Sequence, residues 1–214
     1  MQDKTAILSP GSTYHIFNRA NGSEKMFVEP ENYRFFLQQY QLYVSPYVDT
    51  FCYCLMPNHF HLLIRVREEK EILTFLGAGA EEKTFPKFRT LEKLRAGAVT
   101  TEQLVSKAFS HFFSSYTQAF NKVYHRKGSL FIKNFKRIQV NDDLYLKKLV
   151  HYIHHNPVEA NLCKQPQEWP YSSYSLILES KNTLINTHEV IEWFDNLENF
   201  KAFHQLSFTL TETE

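Results

Sequence analysis

Residues 56–61 read MPNHFH, two histidines one residue apart inside an apolar, strand-forming run. Side chains alternate between faces along a strand, so His59 and His61 emerge on the same side, and two imidazoles at that spacing can converge on one metal ion. The run YIHHNP at 152–157 adds a second pair. Tyr152 and Asn156 stand one helical turn apart, a tyrosine hydroxyl beside an amide oxygen that can act as a ligand. Taken singly, each has a plainer reading: packing or surface histidines, and a tyrosine at the edge of an amphipathic helix. Brought together, they would make a His-His-Asn metal site with Tyr152 next to it.

For that to happen a strand and a helix must meet, and the patterning supplies both. TYHIFNRA (13–20) reads as a strand ending in a turn at Asn21-Gly22. PENYRFFLQQYQLYV (30–44) spaces Tyr33, Phe36, Leu37, Tyr40, Tyr43 and Val44 as a helix, with Pro30 and Glu31 in its first turn. DTFCYCLM (49–56) and HFHLLIRV (59–66) are two strands paired as a hairpin around Pro57-Asn58. Residues 68–104, mixed in charge and containing GAGA and RAGA, read as an insertion or mobile excursion. Val105, Phe109, Phe112, Phe113, Tyr116, Phe120, Val123 and Tyr124 predict a second amphipathic helix. SLFIKNFKRIQV (129–140) is the fourth strand. NDDLYLKKLVHYIHHNP (141–157) is the third helix, capped by Asn141 or Asp142 and stopped near Pro157.

Strand, helix, strand, strand, helix, strand is the order of a ferredoxin-like split βαβ unit. It predicts an α+β fold with an antiparallel sheet and two helices on one face. The other face is left open for a ligand or a further helix. Phe60, Leu62 and Ile64 are expected under the helices, and His59, His61 and Leu63 on the open face. The third helix has an apolar stripe of Leu146, Leu149, Val150 and Ile153, with Tyr152 and Asn156 along its edge. If it crosses the open face, Asn156 reaches the two histidines. The expected organisation is a unit over 12–176 with the insertion at 68–104, followed by an acidic helical extension over 177–214.

With 43% hydrophobic and 15% aromatic residues, the 214-residue chain can bury the core of one domain plus an extension. No apolar run approaches the ~20 residues of a membrane helix, and MQDKTAILSPGS lacks a signal-peptide pattern, so a cytoplasmic location with no membrane partner is expected. Cys52, Cys54 and Cys163 read as small hydrophobes in a reducing compartment rather than ligands or disulfides. The net charge of +1 hides an uneven distribution. Between Lys122 and Lys148 eight basic residues face Asp142 and Asp143, whereas from Glu189 onward six acids face Lys201 alone. The basic stretch fits a solvated face, or a phosphate track in which Lys133, Lys136 and Arg137 alternate with Phe131 and Phe135. The two phenylalanines read first as core.

Five stretches in order, YHIFNRAN, LMPNHFHLLI, GSLFIKNFK, YIHHNPVEANL and WPYSSY, resemble the REP-associated tyrosine transposases, relatives of the small single-strand transposases of bacterial insertion sequences. The resemblance runs from Tyr14 to Tyr174, and its most specific part is MPNHFH followed about ninety residues later by YIHHNP. It implies that His59, Phe60 and His61 form the HUH motif, that His59, His61 and Asn156 are metal ligands, and that Tyr152 is the nucleophile. It also implies a metal-dependent single-stranded DNA endonuclease and transposase that works through a 5′-phosphotyrosine at hairpin or palindromic repeats. Asn18 and Arg19 would take part in recognition. The implied cofactor is magnesium or manganese, although ligand softness alone ranks zinc or manganese ahead of magnesium for two imidazoles. A phenol must lose its proton as it attacks, and His155 and Lys148 are candidate bases. Tyr145 is the nearest rival nucleophile; Tyr171 and Tyr174 fall in a loop beyond Pro157.

The chain departs from the family pattern at Ala20, where glycine often follows NR, and at IKNF (132–135), where QGRF is common. Two other function classes stay open: a domesticated protein that binds repeat hairpins without cutting them, and an RNA-binding module built on the same strand order. A homodimer and a monomer are equally compatible with the sequence.

Overall fold

Strand register decides which of these residues meet. The computed structural model describes residues 5–78, 90, 92–180 and 184–207. Strands β1 (Thr13–Arg19), β2 (Val48–Met56), β3 (His59–Val66) and β4 (Lys136–Val140) form one four-stranded sheet in the order β2-β3-β1-β4. Every neighbouring pair is antiparallel, which is the α+β arrangement expected from the element order. Tyr14, Ile16 and Asn18 stand beside Ile64, Leu62 and Phe60 on one face. His15, Phe17 and Arg19 stand beside Leu63, His61 and His59 on the other. A register shift between Thr50 and Cys52 then places Cys52, Cys54 and Met56 on the histidine face as well.

Two helices cover the first face. Helix α1 (Pro30–Tyr43) starts from Glu29, which forms a reciprocal capping box with Asn32. The first three turns of the excursion form α2 (Glu69–Ala78), and the long α3 (Thr101–Val123) follows it. Helix α3 begins four residues before its apolar pattern does, because Thr100 and Gln103 close a second capping box. Phe36 meets Phe60 and Phe112 with ring centroids 5.2 and 4.8 Å apart. Each such aromatic taken out of water contributes about 1.5–3 kcal/mol.

The excursion at 68–104 is therefore ordered in part. Ile72 and Leu76 of α2 pack with Leu94 and Leu104 into a small second core. The i, i+4 spacing of Ile72 and Leu76 is a helix face too short to stand out among charged and glycine-rich neighbours. Residues 79–89 and 91 of that stretch lie outside the described residues.

The second face is not open. Helix α4 (Asp143–Glu159) lies across β2 and β3, with Leu149, Val150 and Ile153 in the main core. The Asp142 side chain accepts the Tyr145 N–H at 2.6 Å, at the helix end where negative charge is favourable. Pro157 does not stop the helix, because so near the end it forfeits one backbone bond only. A Schellman turn does: Asn161 is left-handed at φ 56°, and the Leu162 and Asn161 N–H groups donate to the carbonyls of Pro157 and Val158 at 2.8 and 2.9 Å. The fourth strand is shorter than its apolar pattern, since Asn134 is left-handed at φ 64° and regular pairing begins at Lys136.

The WPYSSY stretch closes the outer edge of β2. Leu55 N–H donates to Tyr171 O and Ser173 N–H to Tyr53 O, both at 2.9 Å, and Trp169 Nε1 donates to Leu55 O at 3.0 Å. Helices α5 (Tyr174–Leu178), α6 (Thr187–Trp193) and α7 (Leu197–Phe203) add Ile177, Val190, Phe194 and Phe200 to the main core. Glu189, one of the acids of the C-terminal segment, grips Arg65 of β3 through two bonds of 2.6 and 2.7 Å. The described part of the 177–214 extension thus shares one core with the sheet. Among the described residues no helix is long and apolar enough to cross a membrane. All three cysteines are free; Cys52 and Cys54 are buried and Cys163 half-buried.

Candidate functional site

β3 and α4 bring His59, His61, Tyr152 and Asn156 into one cluster. His59 Nε2 lies 3.2 Å from Asn156 Oδ1. The His59 and His61 rings stand 5.1 Å apart, and the Tyr152 ring meets His61 edge-on at 5.5 Å. His59 is half-buried, but His61 is only 2% exposed, so the expectation of two histidines on an open face is corrected for His61. The helix that brings Tyr152 and Asn156 also roofs the ring that they approach.

Proton positions follow from the partners. His59 Nδ1 lies 2.7 Å from Asn58 Oδ1 and Nε2 lies 3.2 Å from Asn156 Oδ1; both amide oxygens can only accept, so a neutral ring donates to one of them. In the tautomer that serves the shorter bond, with the hydrogen on Nδ1, Nε2 turns its lone pair toward Asn156. Asn156 Nδ2 donates to Tyr152 O at 3.2 Å, which turns the amide oxygen toward His59. In that tautomer a cation between Nε2 and the amide oxygen would take the place of the hydrogen; in the other, Nε2–H donates to Asn156. Two oxygen or nitrogen donors ~2.1 Å from one octahedral ion lie ~3.0 Å apart when adjacent, close to the separation of 3.2 Å found here. Two donors at this spacing fit a divalent ion, and the His61 ring stands beside them, 5.1 Å from that of His59. Among the described residues no group of three or more His, Cys, Asp and Glu is placed to hold a metal, so an ion here would need the amide oxygen beside the histidines.

Two neighbours were not singled out from sequence. Asn58, in the tight turn, orients His59. His15, on β1, lies with Nε2 2.9 Å from His61 Nδ1, its ring stacked on His61 at 5.1 Å and 24°. Burial pushes His15 down to about 3, and burial, then His15 and His59, hold His61 well below its ordinary value, so both rings are neutral near pH 7. His15 shares its strand face with Phe17 and Arg19, a visible signal; its proximity to His61 depends on pairing between distant strands.

The residues expected to contact DNA separate into two groups. Arg19 is exposed and pairs in register with His59; Lys136 pairs with Phe17, which pairs with His61. Both share the histidine face. Arg137 points the other way. With Lys133 it lines a groove of about 620 Å³ between α3 and the 129–137 segment, where Ser106, Ser110, Ser114 and Thr117 form one wall. Its guanidinium sits 5.0 Å over the Phe135 ring. Asn18 lies on the same side, 6% exposed, its Nδ2 donating to Ile132 O at 3.1 Å and its Oδ1 accepting the Arg19 N–H. That amide holds the 131–132 segment against β1. Phe131 is buried, and Phe135 stacks on Phe109 at 5.0 Å.

The remaining candidates divide in the same way. Lys148 sits one turn before Tyr152 on the same line of α4, and Tyr145 nearly two turns before it. His155 Nδ1 donates to His151 O at 3.1 Å, and its ring stacks on His151 at 3.8 Å, in a separate histidine cluster. Tyr171 stacks on Tyr33 at 3.5 Å, and Tyr174 begins α5 against Phe200.

No family model matches the chain, and no curated protein is similar to it. One solved structure is similar in fold, that of a REP-associated tyrosine transposase bound to a REP hairpin. The TM-score is 0.51 and the identity 13%, over 86% of this chain and 90% of that one.

Proposed function

We propose that this chain is a metal-dependent, HUH-type single-stranded DNA endonuclease and transposase that cleaves and rejoins DNA through a 5′-phosphotyrosine on Tyr152. The observation that carries this reading is the confrontation of His59 Nε2 and Asn156 Oδ1 at 3.2 Å beside His61 and Tyr152. With its hydrogen on Nδ1, His59 would offer Nε2, and Asn156 its Oδ1, to one ion at that spacing. The fold similarity to a hairpin-bound transposase supports the substrate class, single-stranded DNA with hairpin-forming repeats.

His59, His61 and Asn156 would hold magnesium or manganese. When bound, the ion polarises the oxygens of the scissile phosphate and neutralises charge that develops there. Tyr152 Oη would lose its proton to solvent or a nearby base as it forms a bond to phosphorus and the bond from phosphorus to the 3′ oxygen breaks, and the leaving oxygen takes up a proton as a 3′-hydroxyl. The phosphotyrosyl ester conserves the bond energy, so attack by another 3′-hydroxyl rejoins DNA without ATP. Arg19 and Lys136 flank this chemistry on the same sheet face. Lys136 is two strands from His61, ~10 Å at ordinary strand spacing, a reach suited to the next phosphate along a strand. Lys133 and Arg137 would hold a more distant part of the DNA in the groove beyond the sheet.

The test is incubation with single-stranded hairpin oligonucleotides from the DNA flanking the protein's own gene, with manganese and with chelator. A covalent adduct that needs manganese and maps to Tyr152 is the expected result. Tight hairpin binding with no adduct under any metal would instead favour the non-cleaving, domesticated protein.

A further inference from the structure

We propose that His15 is a positioning residue for the metal centre: it accepts the Nδ1–H of His61 and so holds the His61 ring in the tautomer whose bare Nε2 can bind the ion. This assignment rests on reading the site as a metal centre.

The pair is joined by one bond of 2.9 Å between His15 Nε2 and His61 Nδ1, and both rings are 2% exposed. A bond of that length between two ring nitrogens holds one hydrogen, and there are two ways to place it. If His15 donates, His61 carries its own hydrogen on Nε2 and cannot bind a metal through that atom. If His61 donates, its Nε2 is bare. Ligation through Nδ1 would instead break the bond and strand His15 Nε2 in a buried setting.

His59 has a parallel construction. Its Nδ1 lies 2.7 Å from Asn58 Oδ1, and its Nε2 faces Asn156 Oδ1 at 3.2 Å. Each histidine of the motif thus has an orienting partner at Nδ1, and ligation through Nε2 requires that Nδ1 be the donor. For His59 the partner is an amide in the adjoining turn. For His61 it is a third imidazole on the neighbouring strand, reached diagonally because the register pairs His61 with Phe17 and His15 with Leu63. Metal-binding histidines ordinarily donate their second N–H to an oxygen acceptor. Here a neutral nitrogen fills that role, and the stacking of the two rings at 24° with Phe17 4.7 Å away leaves His15 little freedom to turn.

Manganese affinity without DNA, measured by the loss of the free-ion paramagnetic signal, tests the assignment in the full-length protein. His15→Phe keeps a ring and removes the acceptor; His15→Gln restores an acceptor oxygen. His15→Phe should weaken binding by about 10–100-fold, with His15→Gln recovering to within about threefold of the parent. Nitrogen-15 shifts of the parent's imidazoles, free of metal and with zinc as a diamagnetic probe, should show His61 protonated at Nδ1. Unchanged affinity in a folded His15→Phe protein, or equal loss in both variants, would overturn the role of His15 and leave the metal centre standing. So would His61 protonated at Nε2 in the parent with zinc bound, a readout that survives even if a variant fails to fold. A parent that binds no manganese would overturn the metal centre, and the role of His15 with it.

Discussion

Helix α4 separates two histidine clusters that are similar in composition and burial yet differ in chemistry. On one side His15, His61 and His59 approach Tyr152 and Asn156. On the other, His154 and His204 form a closed relay. Phe200 O can only accept, so His204 carries its hydrogen on Nδ1, 2.8 Å away. His204 Nε2 then accepts from His154 Nδ1 at 3.0 Å, and His154 Nε2 accepts from the Ser173 hydroxyl at 2.9 Å. Ser173 Oγ in turn accepts the Tyr53 N–H at 2.9 Å. Every donor in this chain meets an acceptor, from the backbone of α7 to the backbone of β2. In the first cluster the bonds lead to a half-buried meeting of His59 Nε2 with Asn156 Oδ1 at 3.2 Å, beside Tyr152. A closed buried network fastens elements together, whereas one that ends at a partly exposed imidazole and amide could take up an ion. Function is better inferred from where the hydrogen bonds end than from the number of histidines.

Removing the nucleophile should separate the clusters most sharply. Tyr152→Phe is expected to reduce adduct formation on the order of 10⁴-fold or more while leaving the melting temperature and hairpin affinity near those of the parent. An adduct that persists, mapped by mass spectrometry to Tyr145 or another tyrosine, would move the chemistry away from the first cluster.

Next come the two substitutions that set the clusters against each other on one helix. His154→Ala strands His204 Nε2 in a buried setting, leaves a cavity, and should cost about 2–4 kcal/mol in denaturant unfolding, with manganese affinity little changed. Asn156→Ala should do the reverse, costing about 1 kcal/mol or less of stability and most of the manganese affinity. Similar losses of both properties in both variants would mean that the helix responds as a unit and that the division drawn here is not functional.

The closed relay also predicts a pH dependence. His204 is 4% exposed and held at about 3, chiefly by burial, with His151, His154, His155 and Tyr174 around it. Between that value and the ordinary 6.5 the unfolded chain binds a proton that the folded chain does not. Stability is therefore full above pH 6.5 and falls as the pH drops toward 3, by about 2 kcal/mol from this residue between pH 6.5 and 5. A flat stability profile across that range, measured by urea unfolding, would contradict the neutral relay.

The smallest effects are expected from the divided basic residues. Neutralising Arg19 and Lys136, or Lys133 and Arg137, should each lower the salt slope of DNA binding by about one unit per phosphate contact. Only the first pair shares the histidine face, so only it should also slow adduct formation at saturating DNA. Equal effects on cleavage would place the DNA across both faces of the sheet.

Much of this was legible in the linear chain because it depends on local periodicity. Alternation along 59–66 puts His59 and His61 on one face, and a step of four residues puts Tyr152 and Asn156 on one line of a helix, whatever the rest of the molecule does. The strand and helix order led to the ferredoxin-like sheet for the same reason. Some local features were misjudged: α2 was too short to register, and Pro157 proved too near the helix end to stop it. Tertiary structure alone decided the rest. Pairing of β1 with β3 brings His15 to His61 across 46 residues, and docking of α7 brings His204 to His154 across 50. The same sheet divides Lys136 from Arg137 and turns Asn18 inward, although all three lie in stretches that read simply as polar or basic. Periodicity specifies which way a side chain leaves its own element. Register and docking, set by burial summed over the whole core, specify what it meets there.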